Sequence, residues 1–97
     1  MHVTIEWDEN KNSINKRKHG ISFEEAQTVF VDEKALLIHD PDHSDKEDRF
    51  ILMGVSAKLR ILVVCHCYRT TNETIRIISA RKANRTEQKK YWKEWKT

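Results

Sequence analysis

Nine consecutive residues near the middle of the chain, Arg60 to Tyr68 (RILVVCHCY), are apolar at positions of both parities. A β-strand turns successive side chains to opposite faces, so this segment carries an apolar side in each direction. It reads as a central strand, paired at both edges and covered on both sides. The rest of the chain therefore has to supply partner strands and a cover for them.

Partner segments lie on either side. Arg49–Val55 reads as a strand that turns near Ser56–Leu59, and Thr74–Ala80 as another, after a turn at Thr71-Asn72-Glu73. Ala35–His39 has the same period of two and is followed by a loop over Asp40–Asp45, and Val3–Trp7 alternates weakly as a first strand. Between them lie two helical segments. Asp8 is placed to cap a polar helix over Glu9–His19 that stops at Gly20, with Ile14 as its one strongly apolar contact. Ser22-Phe23-Glu24-Glu25 is a capping box, and Phe23, Ala26 and Phe30 share one face of a second helix that stops near Asp32. Asn84 and Glu87 give another cap signal before a last helix. Its Tyr91, Trp92 and Trp95 share a side and read as core anchors, with Lys89, Lys90, Lys93 and Lys96 around the rest. The expected architecture is α+β, in the order β-α-α-β-β-β-β-α, with a mostly antiparallel sheet in one domain over residues 1–97.

Charge divides the chain. Residues 1–48 hold six Lys/Arg against twelve Asp/Glu, a balance of −6, while residues 49–97 hold twelve against three, +9. Two readings follow: the halves neutralise each other in the fold, or the basic half attracts a polyanion such as RNA. On the strand Thr74–Ala80, strict alternation sets Ile75, Ile77 and Ser79 on one face and Arg76, Ile78 and Ala80 on the other. Arg76, with Arg60 and Arg49 opening the neighbouring strands, then forms a cationic floor suited to phosphate, because the guanidinium fork binds two oxygens at once.

Cys65 and Cys67 are too close along a strand for an easy mutual disulfide, and the N-terminus has no signal-peptide apolar core. A cytoplasmic chain with no membrane segment is expected. Cys65-His66-Cys67 offers soft ligands, yet on a strand His66 points away from both thiols, so neither a metal site nor a cofactor is expected. Lys16-Arg17-Lys18-His19-Gly20 puts cations at a helix C-terminus, where the dipole favours them, and also supplies an imidazole suited to proton transfer near neutral pH.

Ile5-Glu6-Trp7-Asp8, the stretch Lys18-His19-Gly20-Ile21-Ser22-Phe23-Glu24-Glu25-Ala26, Val29-Phe30, and Ile75–Arg81 followed by a basic helix resemble the BrnT family over nearly the whole chain. These are toxins of BrnT–BrnA type II toxin–antitoxin systems. The resemblance implies a RelE-like ribonuclease fold and a BrnA-like antitoxin with a ribbon-helix-helix DNA-binding domain. It also implies a complex that represses its own operon, reaching operator DNA only through the antitoxin and leaving room for a homodimer. The chemistry expected on that basis is metal-independent cleavage of RNA by in-line attack of the 2′-hydroxyl. Arg76 and Arg81 are the first candidates for stabilising charge, with Arg60 and Arg49 behind them. Proton transfer falls to His19 first, with Lys18, Glu47 and Tyr91 as alternatives, and Lys58, Lys82, Arg85 and Lys89 are candidate RNA contacts. A non-catalytic nucleic-acid-binding or antitoxin-docking module is the alternative class.

Overall fold

A computed structural model describes residues 3–40, 48–69 and 73–95. Its elements run β1 (Thr4–Glu6), α1 (Glu9–His19), α2 (Phe23–Ala26) continuing as a 3-10 turn to Val31, β2 (Leu36–Asp40), β3 (Arg49–Val55), β4 (Ile61–Arg69), β5 (Thr74–Lys82) and α3 (Arg85–Trp95). The five strands make one sheet in the order β1-β5-β4-β3-β2, with β1 parallel to β5 and every other pair antiparallel. The α+β class and the order of elements are as expected. β4 is the central strand, and Ile61 through Val64 are buried without interruption.

Burying both faces of β4 takes two separate covers. On one face α1, α2 and the 3-10 turn bring Ile21, Phe23, Ala26 and Val29 onto Leu52, Leu62, Val64, Ile77 and Ala80. On the other, α3 sets Tyr91 among Met53, Ile61, Val63 and Ala83. Tyr91 is therefore a core anchor as expected, but Trp92 and Trp95 are not: they stay 47% and 48% exposed. A helix crossing a sheet sinks only a narrow stripe, and Tyr91 fills it. The phenol donates to Asp32 Oδ2 at 2.6 Å, which satisfies its one polar atom.

α1 departs further from expectation. Ile14 is 52% exposed, and the residues buried are Asn12 and Asn15. Asn12 accepts from the Phe23 backbone N–H and donates to Glu24, tying α1 to the start of α2. Asn15 accepts from the Ala80 N–H at 3.1 Å and donates to the Ala80 carbonyl at 2.8 Å. Because β1 ends at Glu6, opposite Arg76, the far half of β5 has no strand beside it, and Asn15 takes the ladder's place at that edge. Apolar periodicity carries no trace of a helix held by amides.

The caps form where the sequence places them. Asp8 accepts from Asn10 and Lys11, and Gly20 closes α1 at φ 72°. Ser22 accepts from the Glu25 N–H, but the Glu25 side chain leaves the box for Arg60 and Ser56. Asn84 and Glu87 make the reciprocal box in full, at 2.8 Å each way.

One irregularity matters for function. Cys65 lies opposite Ser79 and His66 opposite Ile77, so β5 carries one extra residue, Ile78, at a bulge. Strict alternation fails there. Ala80 joins Ile77 on the helix-covered face, and Ser79 moves to the face of Arg76.

Candidate active site

The register places the cations row by row. Arg49 and Arg76 both lie opposite Cys67, from β3 and β5, so they share a face about 10 Å apart across two strand spacings. Two rows along, Ile51, Cys65 and Ser79 align, and beyond them Met53, Val63 and Arg81. Residues 76 and 81 have opposite parity, so only the bulge at Ile78 lets Arg81 share the face of Arg76 and Arg49.

α3 covers one end of that face and leaves the other open. The remaining cleft, about 240 Å³, is lined by Arg49, Ile51, Val63, Cys65, Ile78, Ser79, Ala80, Arg81 and His19. His19 reaches it because α1 runs against the β5 edge through Asn15, which brings its C-terminal turn round to the open face. The cleft is smaller than the pockets that enclose small-molecule ligands.

The three cationic groups differ in their ties. Arg49 is half-buried, and among the described residues its Nε has no hydrogen-bond partner. A guanidinium nitrogen taken from water without a replacement acceptor is a standing donor for an anion. Arg81 donates from Nη1 and Nη2 to the two oxygens of Glu87 at 2.8 and 2.9 Å, a two-point clasp that fixes the plane of its guanidinium. This contact holds the Glu87 carboxyl below its ordinary range. Arg76 is tied to Glu6 at 2.8 Å and flanks the cleft without lining it.

Other expected site residues lie elsewhere. Arg60 points to the helix-covered face, where its Nε and Nη2 donate to Glu25, so it is no part of a shared floor with Arg49 and Arg76. Lys18 is exposed on the last turn of α1, and Lys58 on the turn before β4. Lys82 lines a separate groove on the far side of α3, while Arg85 and Lys89 are exposed on α3 itself. Tyr91 is buried and its phenol is pushed up to about 12, first by burial and then by the bond to Asp32, so it exchanges no proton near neutral pH. Glu47 lies outside the described residues.

Three residues of the site escape a reading by alternation and motif. Ser79 is assigned to the wrong face by strict parity, Cys65 enters only as a metal candidate, and Glu87 only as a cap. Register supplies the first two, and the third follows from Arg81 and Glu87 lying across one tight connection.

His66 faces away from the thiols, as its parity requires. It is fully buried beside the rings of Phe30, Phe50 and Tyr68, with centroids 4.9, 6.2 and 5.5 Å away. Burial pushes its pKa below the usual histidine value, and its Nε2 has no partner among the described residues. Among those same residues no three His, Cys, Asp or Glu gather as metal ligands, and no helix is long and apolar enough to cross a membrane.

Residues 7–87 match a family model described as the ribonuclease toxin BrnT of type II toxin–antitoxin systems. Among solved structures, the chain is similar to the crystal structure of the Brucella abortus ribonuclease toxin BrnT. The identity is 27% and the TM-score 0.64, over 86% of this chain and 99% of that one. A search of curated proteins found no match.

Proposed function

The chain belongs to the BrnT family of ribonuclease toxins of type II toxin–antitoxin systems, and from that premise we propose that it cleaves RNA in the cleft between β3, β5 and the end of α1, without a metal. The observation that carries this is the meeting of His19, Arg49 and Arg81 at one cleft on the open face of the sheet. In the reaction the 2′-oxygen forms a bond to its own phosphorus while the bond to the 5′-oxygen breaks. The 2′-proton leaves to a base, a proton is delivered to the departing 5′-oxygen, and the products are a 2′,3′-cyclic phosphate and a 5′-hydroxyl. Extra negative charge builds on the equatorial oxygens midway.

Arg49, with an unsatisfied donor, binds that charge, and Arg81, held in plane by Glu87, offers its remaining N–H groups from the opposite side. Arg76 steers the neighbouring phosphate along the same face. His19 brings the one imidazole among the cleft's lining residues, and it takes the 2′-proton. Lys18, one residue away, adds to the field that draws RNA in. In the cell the toxin domain, RelE-like in fold, acts in the cytoplasm. A BrnA-like ribbon-helix-helix antitoxin neutralises it, and the pair represses its operon.

The test is cleavage of single-stranded RNA by the purified chain in EDTA. Cyclic-phosphate ends are expected, and Arg49→Ala should lower the rate by about 10²–10³-fold, the usual cost of one charge-stabilising donor. Products ending in 5′-phosphate, or an Arg49→Ala chain of unchanged rate, would sink the mechanism. Binding without any cleavage would favour a non-catalytic module instead.

A further inference from the structure

α3 has two flanks. One faces the cleft through Glu87, and the other carries Gln88, Trp92 and Trp95 at helical spacing i, i+4, i+7. This second flank meets the turn between β3 and β4 to make a groove lined by Leu59, Arg60, Ile61, Lys82, Gln88 and Trp92. Leu59 is unusual on two counts. Its φ is 63°, a left-handed conformation that glycine or asparagine adopts more easily, and its side chain is 85% exposed. The left-handed residue closes the β3–β4 turn, where the Leu59 N–H donates to the Ser56 carbonyl and the Ser56 N–H to the Arg60 carbonyl at 2.8 Å each, but the turn does not require an apolar side chain there displayed to water. Trp92 and Trp95 extend the apolar surface, their rings 6.0 Å apart. Lys82 lines it, and Lys58 and Lys89 are exposed next in sequence to Leu59 and Gln88; none of the three has an ion-pair partner among the described residues.

We propose that this groove is the docking site of the antitoxin, which enters it with an acidic amphipathic segment whose apolar side chains seat on Leu59 and Trp92 and whose carboxylates meet the three lysines. The proposal rests on the toxin–antitoxin reading above and adds to it the place and chemistry of the contact. Charge complementarity selects an acidic partner, and the nature of the walls selects protein over RNA. Leu59 and Ile61 are aliphatic, which leaves Trp92 as the one lining ring on which a base could stack. The single arginine in the groove, Arg60, has its Nε–Nη2 edge engaged by Glu25, which leaves a phosphate only the Nη1 side. Helix-in-groove recognition, with an exposed tryptophan as anchor, fits all of these features. Because the groove and the cleft lie on opposite flanks of α3, docking and cleavage are separable by mutation.

The test uses the full chain and the antitoxin encoded beside its gene, both purified, with Leu59→Gly and Trp92→Glu as variants. Each variant should weaken antitoxin binding by about 30-fold or more, the scale of an interface hot spot. Growth should then be arrested even with antitoxin present, while each isolated variant cleaves RNA at the wild-type rate. Leu59→Gly relieves the left-handed strain, so its melting temperature should hold or rise, and weaker binding in it cannot come from unfolding. Antitoxin binding within about threefold of wild type in both variants overturns the proposal, as does a wild-type chain that binds no antitoxin. Loss of RNA binding with antitoxin binding intact would make the groove an RNA surface and also overturns it. Failure of the ribonuclease reading shows separately, as a wild-type chain that binds antitoxin through this groove yet cleaves nothing.

Discussion

Two arginine–glutamate pairs, Arg60–Glu25 and Arg81–Glu87, use the same chemistry on opposite faces of one sheet. In the first, the Glu25 side chain is 3% exposed, and Ser56 donates to it at 2.7 Å while accepting from the Lys58 N–H. The Glu25 carboxylate is enclosed in a circuit that fastens the turn between β3 and β4 to α2, away from the cleft. In the second, Glu87 is 28% exposed and grips one edge of a guanidinium whose other side fronts the cleft. The difference is where each guanidinium lies: Arg81 lines the cleft and Arg60 does not. A closed pair spends its hydrogen bonds on the fold, whereas an open pair uses the fold to aim a cation.

Removing each arginine in turn separates the two roles. Arg81→Ala should cut cleavage by about 10²–10³-fold, with only a few degrees' change in melting temperature. Arg60→Ala leaves a buried carboxylate without its counter-charge and should cost about 3 kcal/mol of stability, a drop of roughly 12–20 °C for a chain of this size. Cleavage per folded molecule should survive that change. If Arg60→Ala abolishes cleavage at a temperature where it is folded, the distinction between the two pairs fails.

A smaller effect sharpens the role of Glu87. Glu87→Gln keeps a side chain able to cap α3 but loses the charge that clasps Arg81. Cleavage should fall about tenfold, or about 1.4 kcal/mol in barrier, while stability shifts by less than about 1 kcal/mol. A change in stability without a change in rate would make this pair structural as well.

The smallest effect concerns acid. Glu25 and Glu87 both titrate below their ordinary value because an arginine donates to each, so the stability they contribute is present above about pH 4.5 and lost only as pH falls further. Both pairs should therefore be intact at pH 5.5. His66 behaves in the opposite sense. Its folded pKa lies below 6.5, so the unfolded chain takes up the proton first, and stability declines as pH falls below about 6.5. The slope approaches at most about 1.4 kcal/mol per pH unit. Denaturant titrations at pH 7.0 and 5.5 should show this decline in the wild type and not in His66→Phe. A decline that persists in His66→Phe would point back to the ion pairs.

Much of the fold is legible in the sequence because its signals are local. Asp8, Gly20, Ser22 and Asn84 cap or stop their helices through contacts within a few residues, and the two-sided apolar run of β4 announces a central strand. The candidate site is less legible because its determinants are not local. Arg49, Arg76 and Arg81 look alike in sequence, and so does Arg60, but which face each one serves depends on register across β4. The attachment of α1 by Asn15 brings His19 to the cleft, and amide side chains leave no periodic pattern to read. Trp92 and Trp95 show the limit of helical spacing, which groups residues on a side without saying how deep that side sinks.

The bulge at Ile78 has a consequence of its own. With one residue fewer between Arg76 and Arg81, β5 returns to strict alternation and both arginines keep their shared face; with one residue more and no second bulge, one of the two is driven into the helix-covered core. The chain therefore tolerates the loss of a residue at position 78 better than the gain of one beside it. For this strand, length is a heritable trait whose constraint has a direction, and a three-nucleotide insertion at this codon is more damaging than a three-nucleotide deletion.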